Sequence, residues 1–415
     1  MKNFDYKNLT KEMFARAGRV YGEPLPDNAW EYLEFELNAI EQQDIGFVFE
    51  SLKAAMKKND LKASDVCCRG LFEYSIVGFL LGLTDLDPVK EGLNPWFLYS
   101  RNGRRGISVS YNIPSEKNSS FLHDIIELTE GENVYIKSYS EGIESGDRDT
   151  CRAKLIILNQ SDVDILRRLF KETGVNPAEI DPNDPKLISL FHSAEALGIS
   201  PEELHGFPLG TAGLESFDTE LSVNVIREIG VSSFHDAARI SAILHGASTY
   251  AHAARLLLDA GAANAEDLIA TRDDIMDILV KYGIDPELAF DIAEDVRRGK
   301  VAHGRSVIWQ EHQPELADKV PELYLHAIEG IKYCFPRGHV IEYALQAMRM
   351  AYFKVYYPEN FYTAWLEEKP DPSIELEIMQ RTQTEGSFIS DKYEWLKEQA
   401  EIRKLVELEK RTRLK

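Results

Sequence analysis

Cysteine is scarce in this chain. Cys67, Cys68, Cys151 and Cys334 are the four in 415 residues, and the only neighbours are an adjacent pair. That pattern suits neither a disulfide scaffold nor a zinc ribbon, so reduced thiols are expected. No apolar run reaches the length of a membrane span, and MKNFDYKNLTKEMF has no hydrophobic signal region; a cytoplasmic setting without a membrane partner is expected. The ten histidines are scattered, with no HxH or HExxH spacing to suggest a metal enzyme. No periodic repeat is evident. Positive charge is also short. Lys and Arg number 47 against 69 Asp and Glu, a net charge of -22, which argues against broad nonspecific grip on phosphates while leaving room for a local basic cleft. Candidate cleft cations are Arg101, Arg104 and Arg105, then Arg297, Arg298, Lys300 and Arg305, each cluster equally readable as a solvated helix end or turn.

What the chain does have is a hydrophobic share of 44%, enough for a sizeable core and two or three lobes. After the turn GEPLPDN, the residues Trp30, Leu33, Phe35, Leu37, Ile40, Phe47 and Leu52 recur at mostly helical spacing, which predicts two helices. Leu71 to Thr84 reads as a buried helix ending near Gly82. GISVSYNI then alternates Ile107, Val109, Tyr111 and Ile113 against Ser108, Ser110 and Asn112, a strand period that NVYIKSY and CRAKLIIL repeat; these three predict one small sheet. From Ser161 onward the pattern is almost wholly helical. The expected class is therefore mainly α with a small β-sheet. The final stretch, with Trp395, Ile402 and Leu405 near one stripe, predicts a terminal helix with a basic end.

Several segments keep a common order: DPKLISLFHSAEALGISPEEL, GTAGLESF, ARISAILHG, TRDDIMDILVKYGIDPELAFDIAEDVRRGK and IKYCFPRGHVIEYALQAMRMAYFKVYYPENFYTAW. Together they resemble the fingers region of PolC, the Gram-positive type of DNA polymerase III alpha subunit. YGEPLPDNAWEYLEFELNAI and DVCCRGLFEYSIVGFLLGLTDLDPV are similar to its palm entry and nucleotide loop. The resemblance implies a reduced palm-like region over 1–160, helical fingers over 161–370 and a helical tail over 371–415. It implies nucleotide or DNA contacts at Arg69, Gly70 and Ser75 of the loop, and at His245, Arg272, Arg297, Arg298, Lys300, Arg337, His339 and Tyr343 of the fingers. A cation and an imidazole at one helix start suit phosphate contact, although His339 and Tyr343 also stand four apart, as packed neighbours on a helix do.

The same resemblance exposes what is missing. Small residues let a loop approach a triphosphate, yet Leu71, Phe72, Glu73 and Tyr74 stand where the family has Gly and Ser, so the loop also reads as a helix start packed in the core. Template-directed transfer needs carboxylates converging on two metals. The family's third Asp corresponds to Ile156. Its Asp-x-Asp pair has become Gly106 and Ser108 in one register, and in the other the acidic strand is deleted. Asp147 and Asp149 are the one substitute pair, in a polar loop. Also missing are the clusters of a PHP domain, the proofreading exonuclease motifs, the palm zinc cysteines and an OB-fold segment. The expectation is thus a degenerate PolC-like core, a pseudoenzyme that binds DNA or a nucleotide, without a cofactor unless retained activity calls for Mg2+. The alternatives are an active DNA-directed DNA polymerase in replication, or a protein-interaction module whose acidic surface meets a protein partner.

Overall fold

The computed structural model describes residues 4–386, apart from 104, 105, 205, 247 and 263, together with 398, 401 and 402. Arg104, Arg105 and most of the expected terminal helix, Trp395 and Leu405 included, lie outside the described residues; Glu398, Glu401 and Ile402 are helical. The chain divides into two compact units. The first holds 1–164 and 242–343, the second 165–241 and 344–415.

Helices dominate, with one five-stranded sheet in the first unit. Its strands are β1 (Cys67–Arg69), β2 (Ile107–Asn112), β3 (Val134–Ser138), β4 (Ile143–Ser145) and β5 (Ala153–Leu158). Their spatial order is β1-β2-β5-β3-β4. The two edge pairings are antiparallel, while β5 lies parallel to both β2 and β3. The helix Ser115–Leu128 provides the crossover that a parallel arrangement of β2 and β3 requires, and it packs on the helix Gly46–Lys58.

Alternation along the strands sorts their side chains. Ile107, Val109, Tyr111, Leu155 and Ile157 are buried, whereas Ser108, Ser110, Lys154, Ile156 and Leu158 point to the other, half-open face. The expected N-terminal helices, Asp27–Gln42 and Gly46–Lys58, bury Leu33, Leu37, Ile40 and Leu52 but leave Trp30 exposed. The expected helix over 71–84 is shorter than its apolar run. Ser75 caps a helix Ile76–Leu81 by accepting from the Gly78 N–H at 2.8 Å, and Gly82 ends it in the left-handed region.

The second unit is helical among its described residues. The helix Ser161–Thr173, most of which belongs to this unit, carries Asp162 and Asp164 in its first turn, where negative charge is favoured. Lys354 is wholly buried there, its Nζ donating to the carbonyls of Gly210 at 2.7 Å and Ala212 at 2.5 Å.

Candidate functional site

The half-open sheet face carries a row of residues fixed by strand register. Arg69 pairs with Ser110, Ser110 with Ile156, and Ile156 with Lys137. One step along, Ser108 pairs with Lys154. Neighbouring strands stand about 4.8 Å apart, so these side chains form one continuous surface. A pocket of about 460 Å³ opens on it, lined by Arg69, Gly70, Ser110, Tyr139, Ile156, Leu158 and His339. His339 is brought there by the helix Arg337–Tyr356, and its Nδ1 accepts the Gly70 N–H at 3.2 Å. Burial, with Arg69 and His245 nearby, pushes His339 down to about 4, so the ring is neutral at physiological pH. Tyr343 lies edge-on to His339 at 4.8 Å and under the Arg69 guanidinium at 5.5 Å. Arg69, Gly70, His339 and Tyr343 are therefore brought together, with His245 close enough to His339 to be felt electrostatically.

Other candidate residues are engaged inside the first unit. Ser75 is fully buried, its hydroxyl donating to Glu36 at 2.5 Å. That carboxylate also accepts from the Tyr99 hydroxyl and from the N–H groups of Ile76 and Val77, and burial pushes it up to about 7 despite these donors. Glu73 is turned into the core and accepts from the Thr84 hydroxyl at 2.7 Å. Arg272 is fully buried, 2.9 Å from Glu294 and 4.0 Å from the centre of the Phe97 ring. Arg297 and Arg298 also converge on Glu294, and Lys300 pairs with Asp295 at 2.6 Å. Arg337 bridges Asp274 and Asp277 at 2.9 and 2.5 Å. Arg101 pairs with Glu287 and Asp291, while Arg305 is exposed. Sequence spacing could have flagged the Glu294 cluster, because Arg297 and Arg298 follow it by three and four residues on one helix.

At the positions where the resemblance implies metal ligands, the side chains are chemically unlike carboxylates. Ser108 offers a neutral hydroxyl and Ile156 a hydrocarbon. Gly106 is held so that a Cβ would come within 2.6 Å of the Arg152 carbonyl oxygen. Asp147 and Asp149 lie beyond β4, at the sheet edge opposite β1. There Asp147 accepts from the Asp149 N–H at 2.9 Å and the Thr150 hydroxyl at 2.8 Å, which closes a local turn. A separate group, His123, Asp124 and Glu127, lies on the crossover helix, where Lys58 and Asn59 already bind Asp124.

The comparisons with known proteins agree with the sequence resemblance. Residues 161–311 match the model of the bacterial DNA polymerase III alpha subunit finger domain. More particularly, the chain is 40% identical over 218 residues to the DNA polymerase III PolC-type of Caldanaerobacter subterraneus subsp. tengcongensis, covering 52% of this chain and 15% of that protein. It is 41% identical over 219 residues to that of Clostridium perfringens, with 52% and 15% covered. The Thermotoga maritima protein is 37% identical over 219 residues, with 52% and 16% covered. The chain is thus PolC-like over about half its own length, and it spans about 15% of the length of these curated relatives.

Proposed function

We propose that this PolC-like chain has lost metal-assisted nucleotidyl transfer and acts as a DNA- or nucleotide-binding accessory protein. One observation carries the reading: Gly106, Ser108 and Ile156 stand where the resemblance implies metal-binding carboxylates, and the five strands hold a single acidic residue, Glu144. Glu144 is engaged by Lys137 at 3.0 Å and by the Tyr135 hydroxyl at 2.7 Å. A pair of divalent metals needs several anionic oxygens converging on one point. The residues on this face do not fit that group, and Asp147 and Asp149 belong to a separate, self-bonded turn at the far edge.

The test is primer extension on a primed template with Mg2+ or Mn2+, run beside a gel shift on the same DNA at low and moderate salt. Retarded DNA without extension is the expected result. Extension would overturn the loss of catalysis. Absence of both would favour a second reading, a protein-interaction module. That reading draws support from the pairing of Arg297, Arg298, Lys300 and Arg337 with carboxylates of their own unit, which leaves fewer cations for phosphate.

A further inference from the structure

Resting on the nucleic-acid reading above, we propose that the half-open sheet face binds single-stranded nucleic acid directly, with Arg69 and Lys154 on its phosphates in place of divalent metals and Tyr139 against a base. The strands carry three cations, Arg69, Lys137 and Lys154, against the one carboxylate Glu144, in a chain whose net charge is -22. This local inversion of sign is the charge complement of a phosphodiester. Neither Arg69 nor Lys154 has a carboxylate partner among the described residues, unlike the cations around Glu294 and Asp295. Register keeps them on one face, Arg69 beside Ser110 and Lys154 two residues before Ile156.

The surface between them suits a strand whose bases are free. Ile156 and Leu158 line the roughly 460 Å³ pocket, and Tyr139, 64% exposed, forms part of its wall. Lys137 holds that ring, its Nζ lying 4.7 Å from the centroid, while Glu144 pairs with the ammonium at 3.0 Å. A duplex presents no free base face, whereas an unpaired base can stack on an exposed ring and sink its edge into an apolar pocket. The cations at these positions repel a divalent ion and the neutral hydroxyls bring no anionic oxygen to collect one, so binding by this route does not depend on metal.

The experiment is fluorescence anisotropy of a labelled oligothymidylate with the full chain, in EDTA and in Mg2+. The expected result is equal affinity in both, a loss of about tenfold for Lys154→Glu and for Tyr139→Ala, and retention for Lys154→Arg. Lys154→Glu should also make the salt dependence shallower by about one phosphate contact. Lys319→Ala, at a lysine paired with Glu315 and outside every candidate contact, should leave binding unchanged. Lys154 is half-exposed, and thermal unfolding of each variant confirms that a lost signal is not a lost fold. Binding that requires Mg2+, or that survives Lys154→Glu and fails in an Arg298→Ala, Lys300→Ala variant, overturns this face while leaving the nucleic-acid reading intact. Retardation of primed duplex without oligothymidylate binding does the same. Failure on every nucleic acid defeats both.

Discussion

Arg272 and Glu294 meet inside the protein, Nη1 to Oε1 at 2.9 Å, with side-chain exposures of 0% and 5%. Glu294→Gln leaves the guanidinium buried with Asp273, at 3.6 Å, as its remaining ion-pair partner among the described residues. Such a change is expected to cost about 3–5 kcal/mol, whereas replacing both partners by apolar residues of similar size is expected to cost less. Urea denaturation of Glu294→Gln beside an Arg272→Met, Glu294→Leu double variant checks this; a double variant weaker than the single one refutes it.

His339 gives a pH signature. Its folded value of about 4 lies below the ordinary 6.5, so its contribution is present above pH 6.5 and is lost as pH falls through 4. Protonation of Nδ1 would remove the acceptor of the Gly70 N–H. The loss is at most about 3 kcal/mol. His339→Gln should flatten the stability profile between pH 6.5 and 4, and imidazole titration followed by NMR should place the midpoint near 4.

Lys354 predicts the opposite end of the scale. Burial holds it at about 7 against an ordinary 10.5, so its contribution is complete above pH 10.5 and is lost as pH falls through 7. Lys354→Met leaves the Gly210 and Ala212 carbonyls without this donor, at about 1–3 kcal/mol. Thermal melts from pH 7 to 10 should show a gain attributable to Lys354 in the parent and none in the variant.

Ser110 and Ile156 are cross-strand neighbours in a parallel pair, and Ser110→Asp with Ile156→Asp would set two carboxylates side by side on the half-open face. Isothermal titration calorimetry with Mn2+ should detect binding in the double variant that the parent lacks at this face. Equal heats from both proteins would show that the sheet does not aim these positions at a common point.

How legible this was depended on the length and period of each element. The three longer strands and the paired N-terminal helices follow directly from apolar spacing at periods of two and 3.6. The strands Cys67–Arg69 and Ile143–Ser145 do not, because three residues are too few to display alternation and the second is exposed throughout. At the site, Arg69, Gly70, His339 and Tyr343 were individually visible as candidates, but their meeting depends on a contact across 269 residues. The resemblance assigns Ser75 to a phosphate loop, although a serine directly ahead of an apolar helical run is also the ordinary mark of an N-cap. Lys137, Lys154 and Tyr139 carried no signal, since a lysine alternating with apolar residues reads as the solvent side of any half-buried strand.

The close approach at Gly106 bears on which positions of this face could carry a carboxylate. Ser108 or Ile156 can become an aspartate with the backbone where it is. At 106 the obstacle is the Arg152 carbonyl at 2.6 Å from a Cβ, and Arg152 leads into β5 while its guanidinium is tied to Asp44 and Glu132. A side chain at 106 therefore cannot be introduced by one substitution without moving the start of a second strand, so this position resists a carboxylate in a way its neighbours do not.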